Sequence, residues 1–303
     1  MRFVVLTAAL FASSTAFAAE TTYPTPQDAL DALAAALGTG DPVNVAKALG
    51  PGAEELTGAV ADKIEAGALD VLHDAWKQGY RMVTQDDGSV MVELGADGWP
   101  FPVPLVKGDG GWAFDIKAGA EEIAAREIGG NELDALDLIA AYGAIQALFR
   151  LEDHDADGVM EFASSIISPP GTRSGLYWTG EDSPVGDRAA RASLDGFLEA
   201  GGEGTGHEPY SGYYFRVLNG QTAAAPGGEM SYMQGDNMVA GHALLAVPAE
   251  YGVSAVKTFL VNEAGMVWEA DLGESTLDTA YDIQALDPDP AKGWTLVKAQ
   301  TGD

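Results

Sequence analysis

The sequence predicts an α+β fold in which helices and antiparallel sheets occupy separate stretches of the chain. Residues 25–50 carry two capped segments with apolar residues at helical spacing, and the period changes to that of strands after residue 80. A second cycle begins with a long apolar helix that ends near residue 150 and is followed by strands from residue 212 onwards. This order predicts N-terminal helices plus an antiparallel sheet, and then a long helix packed on a second antiparallel sheet.

The first module is predicted from helix caps and turn residues. Thr25 is a hydroxyl cap followed by a proline, and Asp41-Pro42 repeats the device for a short helix that ends near Gly50. A third helix is predicted over Ala59–Gln78. Strands are predicted over Tyr80–Thr84, Ser89–Leu94 and Trp112–Ile116, with an extended edge between them at Pro100, Pro102 and Pro104.

The end of the first module and the whole of the second are predicted from a change of period and composition. Ala118–Glu127 and Leu133–Arg150 are two predicted helices, and the second is apolar over so wide an arc that we expect it to be largely buried. Asp187 is expected to cap a helix that continues to about Ala200. The predicted strands are Gly212–Leu218, His242–Val247, Val256–Val261 and Met266–Ala270, with a hairpin connection at residues 262–265.

The composition excludes several partners. The chain of 303 residues has 46 acidic and 16 basic residues, and its net charge of −30 repels nucleic acids and anionic lipid headgroups. The chain contains no cysteine, so disulfides and thiol nucleophiles are excluded. We therefore expect no nucleic-acid partner, and the acidic residues predict a well-solvated surface.

The N-terminus has the pattern of a cleavable signal peptide. Arg2 precedes an apolar run, and Ala16-Phe17-Ala18 provides the small residues of a cleavage site before Ala19. The run is too short to span a bilayer, and Asp134 and Asp137 exclude a span in the long helix. The sequence thus predicts a periplasmic or secreted protein with a signal peptide over 1–18 and modules over 19–126 and 127–303.

One loop carries a metal-binding pattern. Asp153, Asp155 and Asp157 alternate before Gly158, which matches the first, third, fifth and sixth positions of an EF-type calcium loop. The carbonyl of Val159 and the carboxylate of Glu161 complete the predicted ligand set, because Ser164 stands where a bidentate glutamate is usual. The alternative is a glycine turn with capping carboxylates. If calcium binds, the affinity is expected to be weak, with a Kd on the order of 0.1–1 mM.

Sequence patterns for catalysis are weak. Ser254 and Lys257 fit the S-x-x-K spacing of acyl-enzymes, but the segment is predicted to be a strand, where residues three apart point to opposite faces. The four histidines are far apart, and nothing selects one as a metal ligand. The aromatic residues near Tyr177 and Tyr210 are expected to belong mostly to the core, since strand alternation would bury about half of those in a strand. The alternative is that exposed aromatic rings stack on the sugar rings of glycans.

Several segments resemble, in order, a bacterial exported family catalogued as domain of unknown function 2950. The segments are WPFPVPLVKGDGGWAFD from Trp99, REIGGNEL from Arg126, SPPGTRSGLYW from Ser168, SPVG from Ser183, PYSGYYFRVL from Pro209, APGG from Ala225, and AVPAEYGVSAVKTFLVNEAGMVWEADLG from Ala246. The chain departs from the family at Glu127, Gly130, Phe149 and Phe162, where the family usually has basic residues or tyrosine. The resemblance implies an exported protein without an assigned reaction.

Two further resemblances concern fold alone. The first module is similar to cystatin-like and nuclear-transport-factor-like folds, and IQALFR, EFA, GYYFRVL and TFLVNEAGMV are similar to the globular heads of pseudopilins. We expect a non-enzymatic binding or assembly protein of the cell envelope, with an envelope protein or a glycan as partner. The alternatives are a cell-envelope hydrolase that uses cleft carboxylates and a calcium-dependent adhesion module.

Overall fold

A computed structural model of the chain describes residues 21–54, 56, 68–180, 182–199 and 206–297. Helices and antiparallel sheets alternate in the predicted order, so the α+β class is confirmed. The chain divides into two compact units after Ile123. The predicted signal peptide and its cleavage site lie outside the described residues.

The first unit begins with helices, three of which have bounds within the described residues, and local capping explains two of these three. These are α1 (Pro26–Leu37), α2 (Pro42–Leu49) and α3 (Ala68–Gln78). The Thr25 hydroxyl accepts a hydrogen bond from the Asp28 N–H at 3.2 Å, and the Asp41 carboxylate accepts one from the Val43 N–H at 2.9 Å. Both helices therefore begin where the sequence predicts. The predicted start of the third helix, residues 59–67, lies outside the described part of the chain.

A five-stranded antiparallel sheet completes the first unit. Its strands are β1 (Tyr80–Thr84), β2 (Val90–Leu94), β3 (Trp99–Pro100), β4 (Leu105–Gly108) and β5 (Gly111–Phe114), in the order β1-β2-β4-β5 with β3 paired to β2. Alternate residues of β2 are buried, as expected for a sheet with one face on the core. That core joins the strands to α1 and α2 through Leu30, Leu33, Leu49, Val92 and Leu105.

The long helix α4 (Ile116–Phe149) corrects the prediction of two separate helices. Gly129 and Gly130 lie inside it rather than between two helices. A Cβ added at either glycine would meet no atom within 4 Å, so neither position requires glycine. Each glycine costs about 1 kcal/mol of helix propensity, but helix formers on both sides propagate the hydrogen-bonded turns across this short interruption.

The expectation that the second half of this helix is largely buried was wrong. A single stripe is buried at alternating intervals of four and three residues: Ala135, Ile139, Tyr142, Gln146 and Phe149. Leu133 and Leu148 are about two-thirds exposed, at 65% and 67%. Leu136, Leu138 and Ile145 flank this stripe and are only partly buried against the core. Most of the exposed apolar residues are alanine, whose exposure costs little.

The stretch after α4 contains two strands that were not predicted and a helical segment that differs from its prediction. Strands β6 (Ser165–Ile167) and β7 (Gly175–Tyr177) pair in parallel. The predicted helix from Asp187 is two short helices, α5 (Asp187–Arg191) and α6 (Leu194–Glu199). The break occurs because the Ala192 carbonyl accepts a hydrogen bond from the Phe215 N–H at 2.8 Å. The Asp187 carboxylate does not cap the helix; it pairs with Arg191.

The second unit is built on a five-stranded antiparallel sheet. Its strands are β8 (Tyr213–Leu218), β13 (Ala243–Pro248), β14 (Lys257–Asn262), β15 (Val267–Asp271) and β16 (Thr295–Leu296), in the order β16-β15-β14-β13-β8. The first four confirm the four predicted strands within about a residue. Smaller elements are β9 (Gly220–Gln221), β10 (Met230–Ser231), β11 (Met233–Gln234), β12 (Asn237–Met238), α7 (Thr276–Asp282) and a 3-10 turn at Pro290–Lys292.

All six residues of β8 are buried, which corrects the expectation that alternation would bury half of them. Helix α6 covers one face: the Phe197 ring stacks on Tyr214 at 4.4 Å, and Asp195 pairs with the buried Arg216 at 2.6 Å. On the other face Tyr213 packs with Phe259 of the core. The aromatic strand is thus core rather than a glycan platform. Within the described residues, no helix has the length and apolar content needed to cross a bilayer.

Candidate metal centre

The acidic loop starts where helix α4 ends. The His154 Nε2 lies 3.0 Å from the Phe149 carbonyl oxygen, and the two rings are 4.1 Å apart. The His154 ring also packs against Trp178 at 5.4 Å. These contacts attach the first turn of the loop to the end of α4. They therefore fix the positions of Asp153 and Asp155, which flank His154, relative to the core of the second unit.

Asp153, Asp155 and Asp157 converge on one point. One carboxylate oxygen of each lies within 4.8 Å of the others. Calcium binds oxygen at about 2.3–2.6 Å, so any two of its ligands are at most about 5 Å apart. The three oxygens therefore fit one coordination sphere. Within the described parts of the chain, this is the one group of three or more acidic, histidine or cysteine side chains with such convergence.

Backbone hydrogen bonds hold the carboxylates in this arrangement. Asp155 Oδ1 accepts from the Asp157 N–H at 3.2 Å, and Asp157 Oδ1 accepts from the Val159 N–H at 2.7 Å. Asp153 Oδ2 accepts from the Gly158 N–H at 2.9 Å. The last bond needs a sharp bend, which Gly158 permits at φ 91°. Val159 is joined to the cluster through its N–H.

Asp153 has one oxygen with no protein partner. Its Oδ1 is buried from solvent and accepts no hydrogen bond, while Oδ2 is bonded to Gly158. The backbone N–H groups of the turn, Gly158 first, lower the pKa of this carboxyl group. The carboxyl group is therefore ionised at neutral pH, and one of its oxygens contacts neither solvent nor a protein donor. Burying such an oxygen costs folding free energy unless a cation or a hydrogen-bond donor reaches it.

Glu161 is the buried acid of the loop. It is 4% exposed, and its Oε2 accepts a hydrogen bond from the Met238 N–H at 3.1 Å. Burial raises the pKa of this carboxyl group, and the negative charges of the three aspartates raise it further. Glu161 is therefore close enough to the cluster to feel its charge. Ser164, at the twelfth loop position, bonds instead to the Ser174 carbonyl through its N–H at 2.9 Å.

Two residues of this region were not identified from the sequence. Asn237 of β12 donates from Nδ2 to Asp157 Oδ2 at 2.5 Å. Gln146 of α4 bonds to both backbone groups of Ala163, just after Glu161, at 2.9 Å each. In the sequence, Gln146 could have been noticed as a polar residue on the same helix face as Tyr142 and Phe149. Nothing in the sequence around Asn237 indicates more than a turn.

The acyl-enzyme pattern is not assembled. The Ser254 hydroxyl bonds to the Gly212 and Glu250 carbonyls at 2.9 and 3.1 Å. Lys257 opens β14, and its Nζ lies 3.9 Å from Glu269 Oε1. The two side chains have separate partners on a strand entry rather than one helical turn, so the spacing lacks the geometry that a serine–lysine mechanism needs.

The fold and the loop together define an acidic two-unit α+β protein with a cluster of converging carboxylates just after its long helix. The chain belongs to the family described as "Protein of unknown function (DUF2950)", whose model matches residues 20–297. No curated protein and no solved structure matches the chain. The resemblances to cystatin-like, nuclear-transport-factor-like and pseudopilin-head folds stay predictions.

Proposed function

We propose that the protein is an exported binding or assembly module of the bacterial cell envelope whose acidic loop binds one calcium ion. The observation that carries the calcium part is the convergence of Asp153, Asp155 and Asp157 within one coordination sphere. The buried, unpartnered Oδ1 of Asp153 supports it, because a cation would satisfy that oxygen.

The donor set favours calcium over magnesium. In the proposed site, the three aspartates, the backbone carbonyl of Val159 and the buried carboxylate of Glu161 supply only oxygen ligands, and this larger, less regular donor set suits the larger ion. Magnesium demands a tighter octahedron and retains several waters. In this proposal Glu161 approaches from the protein interior and the aspartates close the site from the solvent side, since Asp155 and Asp157 are exposed.

In this proposal the calcium ion has a structural role, because it holds the loop between two parts of the second unit. The loop joins the end of α4 to the segment at Phe162, which bridges to Met238. Calcium would relieve the repulsion among four carboxylates and so fix this connection. Export, expected from the N-terminal pattern, would expose the site to millimolar-range ions, to which weak extracellular-type sites respond.

The test is calcium-dependent stabilisation of the whole protein. Melting scans are recorded with excess chelator and with calcium at about ten times Kd, where binding stabilises by about 1.4 kcal/mol. Asp155→Asn should weaken the calcium response, and Asp157→Ala should abolish it. Asp282→Asn is the matched control, because Asp282 is an exposed aspartate of the same unit outside the loop.

The variants separate a site from general screening of the acidic surface. A calcium shift that is lost in Asp157→Ala and retained in Asp282→Asn supports the proposal. If wild type and all variants shift equally, calcium acts only by screening a net charge of −30. If wild type shows no shift, the loop is a turn with capping carboxylates and the calcium proposal fails.

A further inference from the structure

Strand β12 contacts two acidic side chains of the loop from a distant part of the sequence. Asn237 Nδ2 donates a hydrogen bond to Asp157 Oδ2 at 2.5 Å, and the Met238 N–H donates one to Glu161 Oε2 at 3.1 Å. These bonds join residues 80 and 77 positions apart. Because the two donors are consecutive residues, one short piece of backbone orients both carboxylates.

The core of the second unit fixes the position of β12. Met238 is fully buried, and its carbonyl accepts a hydrogen bond from the Phe162 N–H at 2.8 Å. Phe162 directly follows Glu161, so β12 is bonded to the loop exit through both backbone groups of Met238. Asn237 also pairs with Gln234 of β11. The amide of Asn237 is therefore presented to the loop from an ordered strand.

The carboxylate of Asp157 is held at both of its oxygens. Oδ1 accepts from the Val159 N–H at 2.7 Å, and Oδ2 accepts from Asn237. Asp157 is exposed, so the two bonds together restrict a side chain that would otherwise rotate in solvent. An ionised carboxylate has about four lone-pair positions, and the two that remain can face a cation.

We propose that Asn237 is a positioning residue of the calcium site, through which β12 holds Asp157 in the orientation that binds the ion. The inference rests on the calcium binding proposed above. A ligand that is already oriented loses less conformational freedom on binding, and hydrogen-bond partners of metal ligands contribute about 10–100-fold to metal affinity.

The loss of Asn237 should weaken the calcium site without abolishing it. The three aspartates converge within the loop itself, and the buried Oδ1 of Asp153 has no protein partner whether or not Asn237 is present. Asp157 also keeps its bond to the Val159 N–H. We therefore expect an effect at the lower end of the range, about tenfold in Kd.

The experiment titrates calcium chloride into the whole protein by isothermal titration calorimetry, for wild type and Asn237→Ala. The variant should bind calcium with a Kd about tenfold higher. In melting scans at calcium about ten times the wild-type Kd, its calcium-induced rise in melting temperature should be about a third of the wild-type rise. A merely structural role would lower the melting temperature equally in calcium and in chelator, and it would leave Kd unchanged.

Hydrogen exchange provides a second measurement of the coupling. The Phe162 amide bonds to the Met238 carbonyl, so its exchange reports whether the loop exit stays attached to β12. Calcium should slow this exchange in wild type, and it should slow it less in Asn237→Ala at the same calcium concentration.

Asn219→Ala is the matched control, because Asn219 is an exposed asparagine of the same unit outside the loop. A Kd that rises in Asn237→Ala and stays at the wild-type value in Asn219→Ala supports the proposal. A wild-type Kd in Asn237→Ala, or equal weakening in both variants, would overturn this inference and leave the calcium site standing. Absence of calcium binding to wild type would instead refute the proposed function, and this inference with it.

Discussion

Replacing Gln146 by methionine should destabilise the second unit by removing the link between helix α4 and the exit of the acidic loop. Gln146 is fully buried and makes three hydrogen bonds of 2.9 Å each, two of them to the N–H and carbonyl of Ala163. Methionine conserves the volume and flexibility of the side chain but satisfies neither group. The third partner, the Tyr142 hydroxyl, keeps its bond to the Ala243 carbonyl.

The magnitude follows from the two backbone groups left unpaired. Ala163 is completely buried, so water cannot replace the lost amide. Each buried unsatisfied group costs about 1–3 kcal/mol, and the methionine recovers part of this by apolar burial. We expect the free energy of unfolding to fall by about 3 kcal/mol, which lowers the melting temperature of a unit of this size by roughly 6–12 °C.

Urea unfolding in excess chelator measures the loss, and hydrogen exchange of the Ala163 amide locates it. That amide donates to Gln146 Oε1, so it should exchange about a hundredfold faster in the variant. The control is Gln284→Met, which changes an exposed glutamine of the same unit and should alter stability by less than about 0.5 kcal/mol. A loss below about 1 kcal/mol for Gln146→Met, with normal protection of Ala163, would refute the reasoning.

Two further predictions concern charge and backbone. Burial raises the pKa of Glu161 above 4.5, so metal-free protein loses stability as the pH rises through the raised value. Glu161→Gln should remove this loss of stability. Melting scans of both proteins in chelator, from about pH 4 to about pH 8, measure the difference, and an identical pH profile for the two proteins would contradict the prediction. Gly130→Ala should stabilise the protein by about 0.5–1 kcal/mol, because the position is helical and a Cβ there meets no atom within 4 Å. Thermal melts measure this change, and a variant less stable than wild type would contradict the prediction.

Local signals predicted the elements well because their causes are local. The caps at Thr25 and Asp41 act within three residues of themselves, and they set the starts of α1 and α2 in the structure. The four main strands of the second unit likewise follow from short apolar runs between turn residues. The glycines inside α4 misled the prediction, because the propensity of one residue does not reveal how strongly the neighbouring turns propagate.

Tertiary contacts explain what the sequence did not reveal. The spacing of the three aspartates predicted a common point, but the bond from Asn237 to Asp157 joins residues 80 positions apart. An open pocket beside His242 is likewise lined by four separate segments of the chain, and no sequence motif marks it. The full burial of β8 depends on α6 covering its second face, which strand alternation cannot anticipate.

The arrangement of the second sheet also bears on how the protein behaves when crowded with copies of itself. Its outermost strand on one side, β16, has only two residues, and on the other side Ser193 bridges to Phe215 of β8. A foreign strand needs several consecutive free backbone groups to extend a sheet. Neither border of this sheet offers a long flat template, so the aromatic strand at its margin is shielded from the edge-to-edge pairing that starts fibrils.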